Sequence, residues 1–135
     1  MKVFLDGTRE DSNWRKELIP LLKLDYYVPK TDGWNIDDEE EERNKCDIHL
    51  YVITPKMRGF HLISQLMESA FNTSRVFCNP RYTVFCLLYE DEDAAFSRQQ
   101  IRSLNLVRDM FKKHNNCIVC NDLKNVADLL NTLNN

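Results

Sequence analysis

Two stretches of this chain gather residue types suited to holding an anion. Asp6-Gly7-Thr8-Arg9 sets a carboxylate, a hydroxyl and a guanidinium around a glycine, directly after the apolar run Lys2-Val3-Phe4-Leu5. A glycine there lets backbone N–H groups approach a ligand, and the hydroxyl and guanidinium suit a phosphate. The same residues equally fit a tight turn with a surface arginine. Thr54-Pro55-Lys56-Met57-Arg58-Gly59 places two cations, a flexible thioether and a glycine just before a helix start. The positive end of that helix favours an anionic or nucleotide ligand. Trp34 and Tyr27 offer stacking faces for a nucleobase, although large aromatics serve a core as readily. Cys117-Ile118-Val119-Cys120 forms a CxxC. Zinc would need a second ligand pair and only His114 lies near, while a redox pair belongs at a helix start and Ile118-Val119 reads as strand. These two cysteines are expected to be structural.

The elements that must position these residues follow from periodicity. Residues 2–5 read as a buried strand, and Asp11 or Ser12 caps a helix carrying Trp14, Leu18, Leu21 and Leu22, which Pro20 bends or breaks. Tyr26-Tyr27-Val28 reads as a second strand, ended by Pro29. The acidic segment 37–45 has helix formers but almost no apolar stripe, so an exposed helix is the most it predicts. Residues 47–53 form the third strand, and Phe60, Ile63, Met67 and Phe71 mark one face of the next helix. The run 82–89 suits a strand covered on both faces. Ile101, Leu104, Val107, Met110 and Phe111 make an amphipathic helix; a short strand follows at 117–120, and Asp122 caps a last helix with Val126, Leu129, Leu130 and Leu133. Alternation of strand and helix predicts one α/β domain of the flavodoxin-like or Rossmann-like kind, with about five parallel strands and helices on both faces. Ligands of such sheets sit beyond the carboxyl ends of the strands, near the switch point. That places the site in the loops after Leu5, Val28, Ile53 and Tyr89.

Composition narrows the partners. A chain of 135 residues suits a single domain spanning 1–135, and a net charge of −3 supplies no basic field for a nucleic-acid polymer or an anionic membrane. No apolar run approaches a membrane span and the N-terminus lacks a signal-peptide core. Five cysteines without small-scaffold spacing suggest reduced thiols and a cytoplasmic location. The acidic runs 37–42 and 90–93 read as solvated loops or helix starts. A phospho-receiver domain is excluded, because its acceptor aspartate would stand where this chain has Thr54-Pro55. Thr8 and Ser12 are too sparse for the hydroxyl-rich loop of a flavodoxin.

Three blocks in order, Met1-Lys2-Val3-Phe4-Leu5-Asp6-Gly7-Thr8, Trp14-Arg15-Lys16-Glu17-Leu18-Ile19-Pro20 and Tyr51-Val52-Ile53-Thr54-Pro55-Lys56-Met57, resemble the nucleoside 2-deoxyribosyltransferase-like family. The likeness extends through Thr83-Val84-Phe85-Cys86 and the helix after Phe96. It implies cleavage or exchange of the N-glycosidic bond of a nucleoside or nucleotide without metal or organic cofactor, commonly in a homo-oligomer. It also implies a glutamate on the helix after strand three, attacking the anomeric carbon through an oxocarbenium-like transition state.

Aligning Gly59 and the following helix with that pattern puts Gln65 at the glutamate position, and Asp6 stands where a glycine is expected. Gln65 is nearly isosteric with glutamate but neutral, so it keeps hydrogen bonds and loses the nucleophile. Three explanations compete: a relative that binds a nucleotide without turnover, a variant made to trap a ligand, or replacement by Glu68 or Asp6. Glu68, at i+3 on the same helix face, lies roughly 4.5 Å further along the axis, whereas reacting atoms must approach within ~3–3.5 Å. Gln65 without any role, on an exposed helix edge, remains a fourth. The expected pocket then comprises Asp6, Gly7, Thr8, Arg9, Trp34, Thr54, Met57, Arg58 and Gly59 around Gln65 and Glu68.

Overall fold

The computed structural model describes residues 1–9, 11–30, 35–75 and 79–135. Five strands, β1 (Lys2–Gly7), β2 (Asp25–Tyr27), β3 (Ile48–Ile53), β4 (Tyr82–Leu87) and β7 (Cys117–Cys120), form a parallel sheet in the order β2-β1-β3-β4-β7. The order reverses between β1 and β3, which is the switch point of the fold. Helices α1 (Trp14–Leu18) and α5 (Leu123–Leu133) cover one face of the sheet; α3 (His61–Thr73) and α4 (Arg98–Lys112) cover the other. The chain is thus a single flavodoxin-like sheet flanked by helices.

Side-chain parity decides which residues meet which layer. Val3 and Leu5 of β1 join Leu50, Val52, Val84 and Cys86 in the core beneath α1 and α5. Tyr51, Ile53, Phe85 and Leu87 point the other way, against Leu62, Leu66 and Ala70 of α3 and Leu104 and Phe111 of α4. With both faces covered, the central strands are apolar almost throughout, as expected of a parallel sheet. Pro20 acts where its ring requires: α1 ends at Leu18 and the chain tightens into a 3-10 turn over Ile19–Leu21. Asp122 caps α5, its carboxylate accepting from the Asn125 N–H at 2.7 Å.

Four expectations change. The helix expected to be capped by Asp11 or Ser12 has Asn13 at its N-cap, with no side-chain cap hydrogen bond. The buried face of α3 is Leu62, Leu66, Ser69, Ala70 and Thr73; Ile63 and Met67 sit at its margin, while Phe60 and Phe71 are exposed. Residues 37–45 are indeed helical, as α2 (Ile36–Lys45), yet this helix is not merely a solvated one, because Glu39 is buried. The run 90–93 is no loose acidic loop: Glu90–Asp91 and Ala94–Ala95 pair as an antiparallel hairpin, β5 and β6. Asp91 accepts from Ser12 Oγ at 2.6 Å and from Thr54 Oγ1 at 2.7 Å, so the hairpin ties down the loops that follow β1 and β3.

Candidate functional site

At the carboxyl edge, β1 and β3 approach closely and Gly7 is the reason. Its φ is +126°, and a Cβ there would stand 2.1 Å from the Val52 carbonyl oxygen. The glycine therefore serves strand contact rather than ligand approach. Thr8 continues the seam, its N–H donating to Val52 O at 2.8 Å and its Oγ1 accepting from the Thr54 N–H at 2.8 Å. The Thr8 carbonyl accepts from Trp14 Nε1 and Arg15 Nη1. Burial pushes the Arg15 guanidinium down to about 10, still charged at neutral pH.

Asp6 shares the α3 side of the sheet with Phe4 and meets α2 there. Its carboxylate is fully buried; Oδ2 accepts from Arg43 Nη2 at 2.9 Å and Oδ1 from Arg9 Nη2 at 3.4 Å and the Gly7 N–H at 2.8 Å. Glu39 Oε1 accepts from both arginines, at 2.7 Å from Arg9 and 3.0 Å from Arg43. Two carboxylates and two guanidiniums thus alternate in a buried cluster, with Arg43 also over the Phe4 ring. Burial opposes the charge on Arg43, but Tyr51, Asp6 and Glu39 outweigh it and hold the guanidinium above its ordinary range.

Two hollows open beside this cluster and share His61. A cleft of about 200 Å³ is lined by Arg9, Lys56, Arg58, Gly59, His61 and Leu62. A cavity of about 130 Å³ lies between α2, which supplies Ile36, Glu39, Glu40 and Arg43, and α3, which supplies His61, Gln65 and Glu68. The cleft gathers three cations at the N-terminus of α3, whose cap residue Phe60 makes no side-chain cap hydrogen bond. In the cavity, Gln65 Oε1 and Arg43 Nε are buried without a hydrogen-bond partner among the described residues, as is Arg9 Nε beside the cleft. Unsatisfied buried polar atoms are rare and cost about 1–3 kcal/mol each; three of the five among the described residues lie beside these two hollows, the others being Arg15 Nη2 and Arg108 Nε.

The expected residues fall into three groups. Gln65 and Glu68 line the cavity; Arg9, Arg58 and Gly59 line the cleft. Asp6, Gly7, Thr8 and Thr54 line neither hollow, and the side chains of Asp6, Thr8 and Thr54 are engaged by the protein. Met57 lies to one side, in a hollow with Asp11, Pro55, Lys56, Arg58 and Ala94. Trp34 lies outside the described residues, and Tyr27 stacks on Phe4 at 5.4 Å. Glu39 and Arg43, in a segment with no hydrophobic pattern, escape sequence reasoning; only their i,i+4 spacing hints that they share a helix face. His61 is missed as well. The CxxC pair divides, since Cys117 packs with the α3–α4 core and Cys120 with the α1–α5 core. Compared with protein-family models, with curated proteins and with solved structures, the chain matches none.

Proposed function

We propose that this chain binds a nucleoside monophosphate at the carboxyl edge of the sheet and does not turn it over. In this reading the phosphate enters the cleft of Arg9, Lys56, Arg58 and His61, and the sugar enters the cavity beside Gln65. The observation that carries it is the buried Gln65 Oε1, without a partner among the described residues, next to a cation-lined cleft. A sugar hydroxyl donating to that oxygen would remove its desolvation penalty. A neutral amide offers no electron pair strong enough to form a glycosyl-enzyme, so affinity survives where the nucleoside 2-deoxyribosyltransferase-like resemblance would put turnover. No helix among the described residues is long and apolar enough to cross a membrane.

A second reading, a nucleotide N-glycosidase or deoxyribosyltransferase, rests on Glu68, an exposed carboxylate on the wall of the same cavity. Asp6 fits that role less well, because Arg43 and Arg9 already engage its oxygens. A homo-oligomer belongs to either reading, supported by the exposed Phe60 and Phe71 on α3, and sedimentation velocity tests it. Cytoplasmic residence is supported by the four described cysteines, all free thiols.

The test is a thermal-shift and base-release screen over nucleosides, nucleoside monophosphates and dinucleotides, with Gln65→Glu alongside. The binding reading expects monophosphates to raise the Tm of the wild type with no free base, and Gln65→Glu to release base. Base release by the wild type that Glu68→Gln abolishes would establish the enzyme reading. Silence toward every ligand would sink both.

A further inference from the structure

Helix α2 buries Glu39 and carries no apolar stripe, so polar contacts must set its position. Beside the Asp6–Arg43 and Glu39–Arg9 ion pairs, one closed ring of hydrogen bonds contributes to this. His49 Nε2 lies 2.8 Å from the Arg43 carbonyl oxygen, which can only accept, so Nε2 carries the proton. In the neutral ring Nδ1 then accepts, and the donor 3.0 Å away is Ser69 Oγ. The Ser69 oxygen in turn accepts from the Tyr51 hydroxyl at 2.7 Å, and the Tyr51 oxygen accepts from Arg43 Nη1 at 3.0 Å. The path begins and ends on Arg43 with every proton assigned, and it joins α2, β3 and α3. Ser69 stands one turn beyond Gln65 on α3, and Arg43 and Gln65 are opposite walls of the same cavity.

We propose that His49, Tyr51 and Ser69 are positioning residues for the ligand cavity. Through Arg43 they hold α2 at a fixed separation from Gln65, so that the wall opposite the amide is formed before a ligand arrives. A hydrophobic contact of the same size would dock α2 as firmly but would let it slide; a one-way hydrogen-bond ring accepts a single geometry. The inference rests on the binding reading, and it predicts behaviour of α2 that needs no ligand.

The experiment is amide hydrogen exchange on the full chain for wild type, Ser69→Ala, Tyr51→Phe, their double variant and Ser69→Thr. Either single variant should speed exchange in α2 roughly tenfold and leave α4 and α5 unchanged. Because both open the same ring, the double variant should be about as fast as each single, not their product. Ser69→Thr keeps the hydroxyl and should stay near wild type. Binding of the nucleoside monophosphate that most stabilises the wild type should weaken about tenfold in both singles, with Gln65 intact. Unchanged α2 exchange in the singles, multiplicative acceleration in the double, loss of protection throughout the chain, or α2 opening without loss of affinity would each overturn the proposal. If the wild type binds no monophosphate, the binding reading fails and the exchange pattern alone decides the ring.

Discussion

Helices α5 and α2 dock on the same sheet by opposite means. The α5 helix buries Val126, Ala127 and Leu130 against the apolar underside of the strands. The α2 helix has nothing comparable and is held by Glu39, Arg43 and the hydrogen bonds that run from Arg43 to Asp6, Tyr51 and His49. Apolar docking is tolerant of small shifts and gains by area. Ionic docking must offset the desolvation of several charges, and it pins them in place. A protein that needs only a stable layer uses the first; a cavity wall that must present charges at set positions uses the second. That difference supports treating the α2 side, not the α5 side, as the working side of the molecule.

The sharpest way to break the contrast is Arg43→Ala. It takes a guanidinium from both Asp6 and Glu39 while they stay buried, and the expected loss is about 3–5 kcal/mol by urea unfolding. Leu130→Ala on the other side should cost about 3 kcal/mol through an ordinary cavity, with exchange in α2 unaltered. Acid provides a third probe. Burial lowers His49 from its ordinary 6.5 to about 4, so the folded state resists protonation that the unfolded chain accepts. This contribution is complete above pH 6.5 and is lost as pH falls toward 4, by about 3 kcal/mol in all. Urea midpoints measured at several pH values should show that decline, and His49→Gln should flatten it. The smallest effects test where the two helices agree. Both begin with a side-chain cap, Asn35 for α2 and Asp122 for α5, and replacing either by alanine should cost about 1 kcal/mol. A cap loss at α2 several times larger than at α5 would mean that the ionic helix lacks reserve.

The same contrast explains what the sequence disclosed. Strands β1, β3 and β4 and helix α5 announce themselves because their burial is apolar and periodic, and the parallel order follows from their alternation with helices. The buried side of α2 is invisible to that logic, since Glu39 and Arg43 look like two more charges in a charged run. In α3 two stripes compete at helical spacing. Phe60, Ile63, Met67 and Phe71 hold the bulkier side chains, yet the sheet takes Leu62, Leu66 and Ala70, whose row includes the Ser69 that the ring requires. The hairpin of β5 and β6 is too short for any pattern to reveal. Gln65 and Glu68 were legible as a pair on one cavity, but the residues facing them from α2 were not.

The split of Cys117 and Cys120 between two cores has a consequence for reading motifs. In a strand, an odd separation sends two side chains to opposite sides, so this CxxC is partitioned by its own backbone. A reagent that bridges neighbouring thiols has nothing to span there. Cys86 is on the same side as Cys120, as its register partner on β4 and 34 positions away in the chain. Removing one residue between Cys117 and Cys120 would change an odd interval to an even one and bring both sulfurs to one side. Spacing in a sequence becomes proximity in space only once the local geometry that converts one to the other is known.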